Sequence, residues 1–451
     1  MAAGSVVVMA FVSHDVEAAG FSVHEQSTAS QGTAYAGSAA GGEDNSAAYF
    51  NPAALALYPG VQISSGFSVV TGDVSFSPQS ASTNTGAPVT GGDGGNLIHT
   101  GYVPAFTASW QFAPDWVAGL SVNAPYGFTT GSDDPGWIGR YQALGSRVRS
   151  VEFDPMLAWK PTDWLAIGGG VRVMYFDARL SNALDIGTIG ATSLGVPLPG
   201  YNPGDPSQDS YVTVKGSDWA YGYTLGAMLL PRPDTRIGIG FRSKMQVDLS
   251  GNAYFDLSPE GQNLSDLSGL IGQRQLVNTG GQASITTPEM VMIGVQHDLS
   301  PEWTLAAEAD WTRWSRFQDL TVTFDNPNQA PVVTTEGWRN SWFLSLGAIY
   351  RPTEKWTLRA GVAYDEGVDP NAELRTPRIP DSDRYWASLG AGYKLTDATT
   401  INAAYTHIFA PKTSIRQSTD DPNNADAYRG NLSGTVDAYA DIVNVGFTMT
   451  F

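Results

Sequence analysis

The 451-residue chain contains no cysteine, which excludes a disulfide framework and any thiolate metal or redox centre, and suits a chain that crosses an oxidising compartment unfolded. It also lacks any run of about 18 apolar residues, and with a mean hydropathy of -0.16 a transmembrane helix is excluded. Basic residues are scarce: 25 Lys and Arg against 44 Asp and Glu give a formal net charge of -19, which argues against a nucleic-acid partner. Much of the excess acid, as in Asp133-Asp134 and Asp420-Asp421, falls in expected loops and reads first as solvated surface. Histidine is rare as well. His24, His99, His297 and His407 are the only ones beyond the first 18 residues, and none sits in a recognisable nucleophile motif. No metal constellation or phosphate loop stands out, so neither cofactor, metal nor catalysis is expected.

What the chain does have is alternation. Its last residues place Tyr439, Asp441, Val443, Val445, Phe447, Met449 and Phe451 on one face, against Ala440, Ile442, Asn444, Gly446, Thr448 and Thr450 on the other. One wall is nearly all apolar and the other small and polar, because successive strand side chains point to opposite faces. The pattern recurs. Trp303, Leu305, Ala307, Ala309 and Trp311 alternate with Thr304, Ala306, Glu308, Asp310 and Thr312, and further copies begin at Trp116, Trp164, Trp342, Trp356 and Tyr385. The uncharged face is bracketed by aromatic rings, the arrangement that two membrane-water interfaces favour.

The turns repeat too. Ala113-Pro114-Asp115-Trp116, Pro161-Thr162-Asp163-Trp164, Ser300-Pro301-Glu302-Trp303 and Pro352-Thr353-Glu354-Lys355-Trp356 read as tight hairpin turns, each handing over to a Trp-anchored strand. Between the hairpins run long stretches rich in Gly, Ser, Asn and Asp, roughly 71–99, 127–147, 181–217, 250–280 and 413–435. Short turns on one rim and long loops on the other describe a bacterial outer-membrane barrel. With helices excluded, a closed barrel is the remaining way to satisfy backbone groups in hydrocarbon. No linker divides the chain, so residues 61–451 are assigned to one transmembrane antiparallel β-barrel and 19–60 to a small N-terminal domain. Residues 1–18 hold an apolar stretch, Val6 to Val12, then Val16-Glu17-Ala18, which fits a signal peptide cleaved after Ala18 although the usual basic n-region is missing.

Several stretches then carry a resemblance: Asn51-Pro52-Ala53-Ala54-Leu55, Gly139-Arg140-Tyr141, the run Trp311 to Leu320 (WTRWSRFQDL), and the run Arg378 to Trp386 (RIPDSDRYW). Together they make the chain resemble, over nearly its whole length, the long-chain fatty acid transporters of Gram-negative outer membranes (the FadL type, with its aromatic-hydrocarbon relatives). That resemblance implies about fourteen strands plugged by a small, mostly helical hatch whose motif is Asn51, Pro52 and Ala53. It implies passive uptake of long-chain fatty acids or similar hydrophobic compounds, or of aromatic hydrocarbons and alkanes, through an apolar lumenal pocket. Exit is sideways through a kinked third strand, here at Pro125, Tyr126 and Gly127. Proline cannot donate to a ladder and glycine permits a bulge, so a break there is reasonable on physical grounds; equally, Pro125 could end the strand at a long loop.

The resemblance also places Phe21 inside the barrel near the ligand. Met174, Phe176, Phe343, Ile349 and Trp386 are lumenal-face candidates for the pocket, with packing against the hatch as their other reading. Basic side chains meet the carboxylate in fatty-acid members, but here Asn182 and Thr321 stand at two such places, leaving Arg179, with Arg172, Arg313, Arg316 and Arg359, as substitutes. These could instead form lumenal pairs with Glu308, Asp310 and Asp365. The expected partners are hydrophobic small molecules, outer-membrane lipid and lipopolysaccharide, and the barrel-assembly machinery that reads the terminal Phe451; a monomer is expected because closure removes strand edges. The rivals are a general porin with an open polar lumen, an outer-membrane lipid hydrolase, and a secreted all-β protein soluble without detergent.

Overall fold

The computed structural model describes residues 20–192, 198–420 and 429–451, so the expected signal peptide at 1–18 lies outside the described residues. Fourteen antiparallel strands form one sheet that closes on itself. They are β1 Val61–Ser82, β2 Gly101–Ala113, β3 in two segments (Trp116–Asn123 and Gly127–Gly131), β4 Gly145–Thr162, β5 Leu165–Leu184 and β6 Ser210–Arg232. Then come β7 (Thr235–Arg242 and Gln246–Asp256), β8 (Thr279–Thr286 and Met290–Asp298), β9 (Trp303–Thr312 and Asp319–Phe324) and β10 (Val332–Thr335 and Ser341–Tyr350). The barrel ends with β11 Trp356–Asp365, β12 Arg384–Thr396, β13 Thr399–Gln417 and β14 Asn431–Thr450.

Closure is made by β14 against β1, from Gln62↔Thr450 to Ser82↔Asn431. The pairing extends through 71–82, a stretch whose composition reads as loop. Backbone hydrogen bonds are indifferent to Ser and Gly side chains, and here β14 supplies a full-length partner. The alternating faces fall as expected. Leu305, Leu346, Val362, Leu389, Val443 and Val445 stand exposed on the outside, whereas Glu308, Asp310, Thr406 and Asn444 are buried on the inside. Rings gather at both ends of the apolar band: Trp116 stacks on Trp159 (5.4 Å) and Trp303 on Tyr350 (4.4 Å) at the short-turn end, and Tyr364 meets Tyr385 (5.6 Å) near the other.

Residues 20–60 fill the lumen. They comprise one α-helical turn, α1 (Thr28–Gln31), two 3-10 helices (Asn45–Tyr49 and Pro52–Leu57) and tight turns, so this plug is as much turn as helix. Asn51 is fully buried and caps the second 3-10 helix by accepting from the Ala53 amide (3.0 Å), with Pro52 in the first turn. Its amide nitrogen also donates to Ala39 O (2.7 Å) and to Ala227 O of β6 (3.0 Å), tying the plug to the wall. The wall makes room by omitting side chains: a Cβ on Gly238 would lie 1.7 Å from Ala39 O, and one on Gly361 2.1 Å from Thr33 C. Charge holds the plug at the short-turn end, where Glu43 pairs with Arg359 and, at 3.4 Å, with Arg351.

Candidate functional site: a lumenal cavity beside a broken strand

Five strands are broken, and the breaks build the site. In β9 the ladder stops after Thr312, and a 3-10 turn at Trp314–Arg316 is fixed from outside by Glu289, which accepts from Arg313 (3.0 Å) and Arg316 (2.8 Å). That turn throws Trp314 and Phe317 inward, where both are buried. Opposite, β10 breaks at 336–340; Gly337 takes φ +61, its amide donates to Gln318 O (2.9 Å), and Trp338 is carried in against Trp314 (ring centroids 5.1 Å).

Phe21 is the hub of these rings. It lies 4.7 Å from Trp314, 5.7 Å from Trp338, 5.8 Å from Phe317, 5.7 Å from Tyr126 and 6.4 Å from Phe176, mostly edge-on. Such pairs contribute roughly 0.5–1.5 kcal/mol each beyond area burial. Phe21 closes one side of a small apolar cavity of about 60 Å³, walled chiefly by Phe128, Val148, Leu249, Ile285, Phe317 and Leu320. Its few polar groups include Arg378 and Glu336, both buried. The Arg378 guanidinium donates to Ser146 Oγ (2.9 Å) and to Asn182 Oδ1. One carboxylate oxygen of Glu336, Oε2, is buried without a hydrogen-bond partner.

The third strand is open at the same level. Its ladder to β2 ends at Phe106↔Val122, the chain turns inward through Ala124, Pro125 and Tyr126, and pairing resumes at Gly127 with β4 alone. Three residues on β3 face two on β4 here, the signature of a bulge. Residues 101–105 of β2 therefore have β1 on one side and no strand on the other, until the bridge Ile98↔Thr130 restores contact. The inward loop is held by the plug: Val23 N donates to Pro125 O (2.9 Å), Gly127 N to Phe21 O (3.0 Å), and Gln26 Nε2 to Ala124 O (3.0 Å).

The expected residues divide three ways. Phe21 lines the cavity; Met174 and Phe176 belong to the apolar cluster around it. Phe343 and Trp386 pack instead on the plug, with the His24 ring stacked 4.6 Å from Phe343, and Ile349 is buried opposite Arg359 near the short-turn end. Arg179 is a correction: it is exposed on the outer face, sharing the parity of Val171 and Tyr175, and cannot meet a lumenal ligand. Thr321 likewise lies between the inward Leu320 and Val322. The other cations are engaged elsewhere. Arg172 pairs with Glu152 (2.8 Å) beside Arg242, and Asp365 with Arg384 (3.1 Å), while Glu308 accepts from the Ala39 amide (3.0 Å). Sequence reasoning missed Arg378, Glu336 and Trp338, although two of the family-like runs contain Trp314, Phe317, Leu320, Arg378 and Ile379. The third family-like element, Gly139-Arg140-Tyr141, joins two long loops: Arg140 Nε donates to Asp209 (2.6 Å), as does Tyr141 OH (2.7 Å).

A closed barrel with a lipid-facing apolar band, a plugged lumen and an apolar cavity belongs to the plugged class of outer-membrane barrels. Residues 9–451 match the model of the family described as outer membrane protein transport protein (OMPP1/FadL/TodX), and the chain belongs to that family. It is 28% identical to a putative outer membrane protein of Neisseria meningitidis serogroup B, over 98% of this chain and 97% of that one. It is 27% identical to the long-chain fatty acid transport protein of Escherichia coli O6:H1, over 89% and 90% respectively. Among solved structures, a Pseudomonas aeruginosa FadL homologue superposes with a TM-score of 0.87 at 27% identity, covering 96% of this chain and all of that one. The Pseudomonas putida toluene transporter TodX, at 17% identity and a TM-score of 0.65 over 95% of this chain and 99% of that one, shares the fold. Members of this family are transporters rather than enzymes, and the protein is placed in the outer membrane.

Proposed function

We propose that the protein takes up long-chain fatty acids or chemically similar hydrophobic compounds by diffusion, holding them in the cavity against Phe21 and releasing them sideways between β2 and the broken β3. The observation that carries this reading is the sharing of Phe21: its ring walls the cavity and its carbonyl holds Gly127 at the edge of the break. Withdrawal of the N-terminal segment would open the cavity toward the gap in one movement. An apolar ligand needs no polar partner in such a pocket, and a carboxylate head would find Arg378 there. The name of the Escherichia coli relative, a long-chain fatty acid transport protein, supports the fatty-acid reading; the likeness to TodX, a toluene transporter, keeps aromatic hydrocarbons as the second.

The test is uptake of labelled oleate and a labelled alkylbenzene by cells lacking their own fatty-acid porin and expressing this chain. The absence of native cysteine makes Pro104→Cys/Gly127→Cys, bridged by a bifunctional thiol reagent, a clean closure of the gap. Bridging should stop uptake and its reversal restore it. Uptake that ignores the bridge would remove the lateral route.

A further inference from the structure

Just above the aromatic band, the outer faces of β4, β5 and β6 carry an unusual concentration of cations for so acidic a chain. Arg147, Arg179 and Lys215 are register neighbours across three adjacent strands, and Arg149 faces Asp177 in the next row. Adjacent strands lie about 4.8 Å apart, so the row spans roughly 10 Å. Asp177 is the single acid in the group, accepting from Arg147 (3.3 Å) and Arg149 (2.8 Å), whose side chains remain 28% and 31% exposed. Arg179 and Lys215 are exposed, with Lys215 Nζ 5.6 Å from the Tyr254 ring centre. Four positive charges thus meet one negative. On the far side of the barrel the arrangement differs: Lys412 pairs with Asp437 (2.9 Å) and Arg416 with Glu373 (2.8 Å), one to one.

The level of the patch identifies its ligand. One row below it Tyr175 and Trp219 pack together at 5.3 Å on the lipid-facing surface, and Trp164 stands at the opposite end of β5. Aromatic belts mark the two interfaces, so the cations lie at headgroup height on the long-loop side, which in outer-membrane barrels faces outward. We propose that Arg147, Arg149, Arg179 and Lys215 form a binding site for the phosphorylated headgroup of a lipopolysaccharide molecule in the outer leaflet. Guanidinium groups suit phosphate because their planar donors engage two oxygens at once, and the aromatic band below receives acyl chains. Arg147 and Arg149 lie opposite Thr129 and Gly127 on β3, so the bound lipid covers the outer end of the gap.

The experiment uses the full chain in lipid nanodiscs, with three probes: lipid A bearing both phosphates, the same lipid dephosphorylated, and phosphatidylglycerol. Arg147→Ser/Arg179→Ser/Lys215→Ser should weaken binding of phosphorylated lipid A by on the order of a hundredfold. Asp177→Asn, which removes the one acid, should strengthen it several-fold. Dephosphorylated lipid A should bind the unaltered protein as weakly as phosphorylated lipid A binds the triple variant. The proposal is overturned if the triple variant, still heat-modifiable on gels, binds as tightly as the unaltered chain. It is equally overturned if removal of phosphate or the Asp177 change has no effect, or if phosphatidylglycerol binds as well as lipid A.

Discussion

The amide of Gly127 donates to the carbonyl of Phe21 at 3.0 Å, so a residue of the wall that keeps β4 but has lost its β2 neighbour is partnered on that side by the plug. Replacing Phe21 by Ala removes the ring that six aromatic contacts surround. It should destabilise docking of the N-terminal segment by about 3–5 kcal/mol. Hydrogen exchange at the Val23 and Gly127 amides should rise steeply while the heat-modifiable barrel, closed by β1 and β14, persists.

Two neighbouring buried groups in the plug titrate in opposition. Burial lifts the Glu25 carboxyl to about 7, and burial together with Arg384 lowers His24 to about 4. The raised acid contributes stability below its ordinary range that is lost as pH climbs through about 7. The depressed histidine contributes stability above its ordinary 6.5 that is lost as pH falls toward 4. Between pH 4.5 and 6.5 the two slopes oppose each other. Glu25→Gln should unmask the histidine slope and, at pH 8, tighten the segment by on the order of 2 kcal/mol. The check is the opening free energy from hydrogen exchange at several pH values; an unchanged pH profile would show that neither titration is coupled to docking.

The alternation, the short turns and the closed sheet were legible because they depend on period-two patterning alone. Arg179 shows that the same rule could have been carried further. Val171, Val173 and Tyr175 face lipid, so a residue at an even spacing from them on the same unbroken strand must face outward too. The cavity resisted reading for the opposite reason. Trp314, Trp338, Glu336 and Pro125 lie where strands break, and parity arguments lose their frame when the backbone leaves the ladder. Arg378 lies in a long loop between β11 and β12, so its arrival beside Asn182 is a tertiary fact with no local signal.

The charge in the cavity makes a prediction about head groups. Glu336 places a carboxyl in the same pocket as Arg378, so whenever that carboxyl is ionised a carboxylate ligand meets like charge as well as opposite. Glu336→Gln should raise affinity for oleate by roughly tenfold and leave an alkylbenzene unchanged. Equal effects on both ligands, measured by fluorescence displacement, would refute an electrostatic role.

Asn51 serves cap, plug and wall at once. Asn51→Ala should cost about 1–3 kcal/mol in plug seating, since the buried carbonyls of Ala39 and Ala227 lose their donor. Single-channel recordings in planar bilayers should then show openings absent from the unaltered protein, without loss of folded barrel.

The glycines of the wall have a consequence for how such proteins can change. Where Gly238 and Gly361 face the lumen, the wall is a cast of one particular plug backbone, legible only in the side chains it omits. A plug borrowed from another barrel would strike full side chains where its own backbone needs clearance. Lengthening this one by a residue would shift every later backbone group off its glycine. Plug and wall are thus bound to a shared history, in which neither can be exchanged or resized unless several strands, distant in sequence, are altered together.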